Sequence, residues 1–117
     1  MGLNFTVSGT TKQYVDKQGR NTFITTELAD FGNAGYKMMD YGLGFQDNCT
    51  TKTYDAVRFL ECLDDMRKAL KEINDTGVDT CNEKPDLEEA ISELQRFIEE
   101  EHITEDINRV FDIYIWY

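Results

Sequence analysis

The sequence predicts an α+β fold: an antiparallel sheet of about four strands packed against two main helices, with the C-terminal strand inserted in the sheet. Three observations carry this. Residues 3–8 alternate apolar and polar residues with period two, and residues 110–117 are a short run apolar on both faces. Between them, two segments repeat apolar residues every three or four positions. The order of strands, then helices, then a strand places the helices on one side of the sheet rather than between parallel strands. At 117 residues the chain has the length of one domain, and we expect a single globular domain over 1–117.

Leu3, Phe5 and Val7 form one face of a first strand, which Ser8-Gly9 is expected to end. Residues 12–16 and 21–26 are rich in β-branched and aromatic types and read as two more strands. Gly19 lies in the loop between them, where a hairpin needs a left-handed residue. In residues 27–41, Asp30 is expected to cap a short helix with Phe31, Ala34, Met38 and Tyr41 on one face. Gly32 and Gly35 weaken such a helix by about 1 kcal/mol each relative to alanine, and glycine there also suits close backbone approach. Thr53 is expected to cap a long helix with Asp55 in its first turn. Its stripe is Ala56, Phe59, Leu60, Leu63, Met66, Leu70 and Ile73, and Asn74–Gly77 stops it. Pro85 sits where a first helical turn tolerates proline, and Asp86 three before Glu89 resembles a capping box. The second stripe is Leu87, Ala90, Ile91, Leu94, Phe97 and Ile98. The last segment is apolar on both faces, as expected of a strand inside a sheet.

Charge is confined to the second half. Residues 1–60 hold six acids and six bases, whereas 61–117 hold seventeen acids and six bases, so all of the net −11 lies there. The densest stretch, Glu83–Asp106, has ten acids against Lys84 and Arg96. Such a field attracts basic protein surfaces and repels nucleic acid and anionic lipid. With 40% apolar and 12% aromatic residues the acidity belongs to a folded surface, not to a disordered tail. No apolar run is long enough for a transmembrane helix, and no signal peptide is expected. Met1-Gly2 with Thr6 fits a myristoylation pattern only superficially, because Leu3, Phe5 and Val7 are needed as a strand face. Three cysteines (Cys49, Cys62, Cys81) without a Cys-x-x-Cys pair argue against a zinc or dithiol site. A buried reduced Cys62 and a cytoplasmic location are expected, and the Asn-x-Thr sequons at Asn4, Asn48 and Asn74 then carry no sugar.

No motif points to catalysis. Asp30-Phe31-Gly32 resembles the metal-binding triplet of protein kinases, but the chain is far too short for a kinase. Gly42-Leu43-Gly44-Phe45 resembles the carboxylate-binding loop of PDZ domains, without their all-β pattern. Glu99 and His102 form one Glu-x-x-His step, where a di-iron bundle needs two and further glutamates. Asp75, Asp79, Glu83 and Asp86 lack the order and central glycine of an EF-hand loop. No catalytic residue, metal site or cofactor is assigned.

The expected function is therefore that of a small acidic binding protein or inhibitor. Its partner would present a basic surface, as a nucleic-acid-binding protein or a nuclease does, and the chain itself would bind neither nucleic acid nor membrane. The expected binding face is Glu88, Glu89, Glu93, Glu99, Glu100 and Glu101, in the manner of a nucleic-acid mimic or an immunity-type inhibitor. Tyr36, Tyr41 or Trp116 are candidate aromatic anchors. A second reading is a non-catalytic module that pairs with itself as a homodimer. A third is a small enzyme with a pocket near residues 32–45.

Overall fold

A computed structural model describes residues 2–44 and 50–116, without the side chains of 10–14, 23–25 and 50. The fold is α+β. Four antiparallel strands, β1 (Asn4–Val15), β2 (Asn21–Asp30), β3 (Thr50–Asp55) and β4 (Val110–Trp116), lie in the order β2-β1-β4-β3. The C-terminal strand is central, with Phe5 opposite Ile115 on one side and Tyr54 opposite Phe111 on the other. A short helix α1 (Gly35–Met38) and the long helices α2 (Ala56–Thr76) and α3 (Lys84–Glu100) cover one sheet face.

One hydrophobic cluster joins these layers. Leu3, Phe5 and Val7 of the N-terminal strand and Phe111, Ile113 and Ile115 of β4 meet Phe59, Leu63 and Met66 of α2 and Leu87, Leu94 and Phe97 of α3. Phe97 is its hub, with ring centroids 5.5 Å from Phe31, 5.5 Å from Phe59 and 5.7 Å from Phe111. Such tilted and edge-on pairs add to the area each ring buries. Val110, Tyr114 and Trp116 are exposed on the opposite sheet face, although β4 is central.

Three boundaries differ from expectation. Ser8-Gly9 does not end the first strand; β1 runs through to Val15. Register shifts at Val7/Ser8 and Thr10/Lys12 bend the ladder instead of breaking it, and buried Gly9 lies against Leu28. The two expected strands 3–8 and 12–16 are therefore one. Thr53 is not a helix cap but a β3 residue whose hydroxyl donates to Asp112 at 2.6 Å. Asp55 caps α2, accepting from the Arg58 amide at 3.1 Å. The third difference is at 27–43. β2 continues to Asp30, whose carboxylate then receives the Gly32 amide at 3.0 Å. Short turns follow, with Phe31, Ala34 and Met38 buried as their spacing implies and Tyr41 half-buried. Cys49, Asn48, Phe45 and Tyr117 lie outside the described residues.

Other signals hold. Gly77 is left-handed and closes α2. Gly19 is left-handed at the hairpin tip. Asp64 and Lys68, four residues apart on α2, are 2.9 Å apart. α3 starts around Pro85, and the Asp79 carboxylate accepts the Glu83 and Lys84 amides at 2.7 and 2.8 Å. Close backbone approach explains Gly35: an added Cβ would lie 2.7 Å from the Phe5 side chain. Gly35→Ala is expected to destabilise the fold by roughly 1–3 kcal/mol, read as a lower urea midpoint; an unchanged midpoint would contradict this packing.

Cys62 is a buried free thiol whose Sγ lies 3.7 Å from the Met38 carbonyl. Burial, with a smaller contribution from Asp65, pushes its pKa up from 9.0 to about 12. The thiol stays protonated in the folded chain where it ionises in the unfolded one. Stability is therefore expected to be full below pH 9 and to fall as pH rises from there towards about 12, by about 1.4 kcal/mol per unit at most. Lys37 and Tyr41, both shifted upward, act in the same direction at higher pH. Unfolding midpoints across this range test it, and Cys62→Ala should flatten the onset; an identical onset in the variant would exclude the thiol as its cause.

Candidate functional site

Helical arithmetic sorts the acids of α3 into two groups. Asp86, Glu89, Glu93 and Glu100 fall within about 60° of one another around the axis, along about 21 Å of helix. Glu88 and Glu99 lie on the other flank, about 100° away, with Gln95 between them. Gln95 donates to Glu99 at 3.2 Å and accepts from Arg67 of α2 at 2.8 Å. Glu101 lies beyond the helix end and is held by Arg109, whose guanidinium reaches its carboxylate at 3.1 Å and its carbonyl at 2.6 Å. The six expected binding residues are all at the surface, four fully exposed and Glu93 and Glu101 partly so, but they do not form one face.

The row Asp86–Glu89–Glu93–Glu100 borders two successive clefts between α3 and the segment 28–37. The first, about 250 Å³, is lined by Asn33, Ala34, Tyr36, Lys37, Asp86 and Glu89. The second, about 300 Å³, is lined by Leu28, Ala29, Asp30, Phe31, Glu93, Arg96, Phe97 and Glu100. The two clefts follow one another along the helix. Five carboxylates (Asp30, Asp86, Glu89, Glu93, Glu100) and two bases thus border this pair of separate clefts, the α3 channel. Arg96 donates to Glu93 at 2.7 Å and sits 3.9 Å from Glu100. Lys37 is bound elsewhere, 2.8 Å from Glu83, and this hydrogen bond is the main cause of its raised pKa.

Asp30 and Asp86 join the site although neither is among the expected binding residues. The signal for Asp86 is in the sequence, since it stands three, seven and fourteen residues before Glu89, Glu93 and Glu100. Asp30 is placed by its pairing with Thr6 at the end of β2 and by the packing of Phe31 on Phe97, at 5.5 Å between rings. Of the aromatics, Tyr36 is 45% exposed and lines the first cleft. Tyr41 is half-buried beside a different cleft with Ile73 and Glu83, and Trp116 is on the opposite face of the sheet.

The first cleft coincides with the pocket an enzyme reading would use. At about 250 Å³ it falls below the roughly 300–1,000 Å³ of most small-molecule sites, whereas the cleft at Tyr41 has about 450 Å³; the one amine of the first cleft, Lys37, is held protonated by Glu83. His102 is exposed, 3.7 Å from Glu105. Three of the four acids at 75–86 have partners: Asp75 with Lys71, Asp79 with the α3 amides, Glu83 with Lys37. Among the described residues no group of three or more His, Cys, Asp or Glu is arranged to hold a metal ion. Among them, too, no helix is long and apolar enough to cross a membrane. No protein-family profile, curated protein or solved structure matches this chain.

Proposed function

We propose that this chain is an acidic binding protein that occupies a basic surface of a partner protein, with the α3 channel as its contact face. The observation that carries the reading is the alignment of Asp86, Glu89, Glu93 and Glu100 along one flank of α3, opposite Asp30 and beside exposed Tyr36. Along about 21 Å of axis each strand of a duplex carries about six phosphates; the channel offers five carboxylates over that length. A groove that tracks a nucleic-acid backbone is then a suitable partner, which makes a nucleic-acid-binding protein or a nuclease the favoured class. The like-signed field speeds encounter, Tyr36 supplies an aromatic anchor, and Arg96 fixes the Glu93 and Glu100 side chains before binding. The same field opposes direct contact with nucleic acid and anionic membranes. Cys62 and Cys81 as free thiols suit a reducing compartment such as the cytoplasm.

Affinity capture from the native host at low and high salt tests this. A basic protein retained at about 50 mM salt and released at about 200 mM is the expected result. Retention only of neutral or acidic proteins, unaffected by salt, would refute it.

A further inference from the structure

The hairpin tip is basic on an acidic chain, and it projects from the body of the fold. β1 pairs with β4 only over Asn4–Ser8, so from Gly9 onward β1 and β2 form a two-stranded ribbon with no third strand. The molecule measures 61 × 34 × 18 Å with a radius of gyration of 16.1 Å, against about 13 Å for a compact chain of this length. Residues 10–26 hold Lys12, Lys17 and Arg20 against Asp16 alone, on a chain of net −11. The tip is ordered: Asp16 accepts the Gln18 and Arg20 amides and the Arg20 Nε, all at 2.9 Å. Even so the Arg20 side chain is 74% exposed, and Lys17 is exposed beside it.

A two-stranded ribbon is marginal alone, and the outer strand of this one is a sheet edge. Over its ten residues, Asn21–Asp30, β2 carries neither lysine nor proline, the residues that commonly guard edges. The other edge, β3, has Lys52 at its middle. Acids sit only at the body end of β2, at Glu27 and Asp30.

We infer that β2 pairs antiparallel with β2 of a second copy, forming a two-fold dimer with one continuous eight-stranded sheet. Charge complementarity selects this occupant. With the two-fold near Thr25, residue 20 of one copy stands opposite residue 30 of the other. Each basic tip then meets Asp30 of its partner, at the cleft that Glu93 and Glu100 also border. Antiparallel pairing about a two-fold normal to the sheet keeps both α3 helices on one face. The bodies stand at opposite ends of a shared ladder about 33 Å long, several screening lengths apart at physiological salt. The Asp86–Glu89–Tyr36 end of each channel stays open. This dimer does not depend on the proposed function, and its charge partners differ: tip variants weaken the dimer, whereas Asp86 and Glu89 variants act on the partner protein.

The test combines sedimentation velocity with amide hydrogen exchange on the full chain at two protein concentrations. The expected mass at high concentration is twice 13.6 kDa, with added protection confined to residues 21–30. Lys17→Glu with Arg20→Glu, both at exposed tip positions, should raise the dimer dissociation constant about tenfold or more. A monomer at about 1 mM protein, protection appearing in β3 or β4 instead, or a tip variant that dimerises as wild type would each overturn the proposal. A Thr22→Lys variant, which puts a charge on the edge, should also dissociate the dimer; an unaffected mass would count against edge pairing.

Discussion

Phe97→Ala is expected to lower stability by about 3–5 kcal/mol, the largest effect of any single substitution on the helix. The expectation follows from position. Phe97 is 3% exposed and touches one ring from each surrounding layer: Phe31 after β2, Phe59 on α2 and Phe111 on β4. Truncation removes those contacts and leaves a cavity between elements that relax only partly, because the sheet and α2 are tied to each other through Phe59 and Phe111 at 5.2 Å. The consequence reaches function. Phe31 packs on Phe97 and sets the segment carrying Asp30 and the cleft wall against α3, so loosening it separates the two banks of the channel. Chemical denaturation reads the loss directly. A cost below about 1 kcal/mol would mean that the aromatic cluster does not organise this core.

The second large effect is on binding. Asp86→Lys with Glu89→Lys is expected to weaken affinity for a basic partner by about a hundredfold or more, since like charges brought face to face cost several kcal/mol. The fold should tolerate the change, because surface charges away from special features contribute little to stability. Glu88→Lys with Glu99→Lys is the matched control. These residues lie on the α2-facing flank, with Glu99 bonded to Gln95 at 3.2 Å, and their reversal should reduce affinity far less. Equal losses in both variants, measured by titration calorimetry, would mean that only net charge matters and that the channel is not the contact face.

The sequence reading succeeded where one period dominates. Both helix stripes face the core, with Leu60, Leu70, Ile73 and Ile91 partly buried at their margins, and β4 alternates with Phe111, Ile113 and Ile115 inward. It missed β3 because Thr53 and Asp55 also read as a helix start, and only pairing to β4 reveals the strand. Ser8-Gly9 reads as a stop because a turn and a buried bulge use the same residues. The candidate site was half legible. Density along the chain picked out Glu88–Glu101, whereas angle around the helix separates Glu88 and Glu99 from Glu89, Glu93 and Glu100 and adds Asp86. Asp30, fifty-six residues before Asp86, is joined to the row by tertiary packing alone.

Salt dependence of affinity for the captured partner bears most directly on the claim that the α3 channel engages a basic surface. Between about 50 and about 200 mM salt the dissociation constant should rise about tenfold or more, and reversing Asp86 and Glu89 should flatten that slope. An affinity that holds constant across the range, or a slope that persists in the reversed variant, would contradict the account.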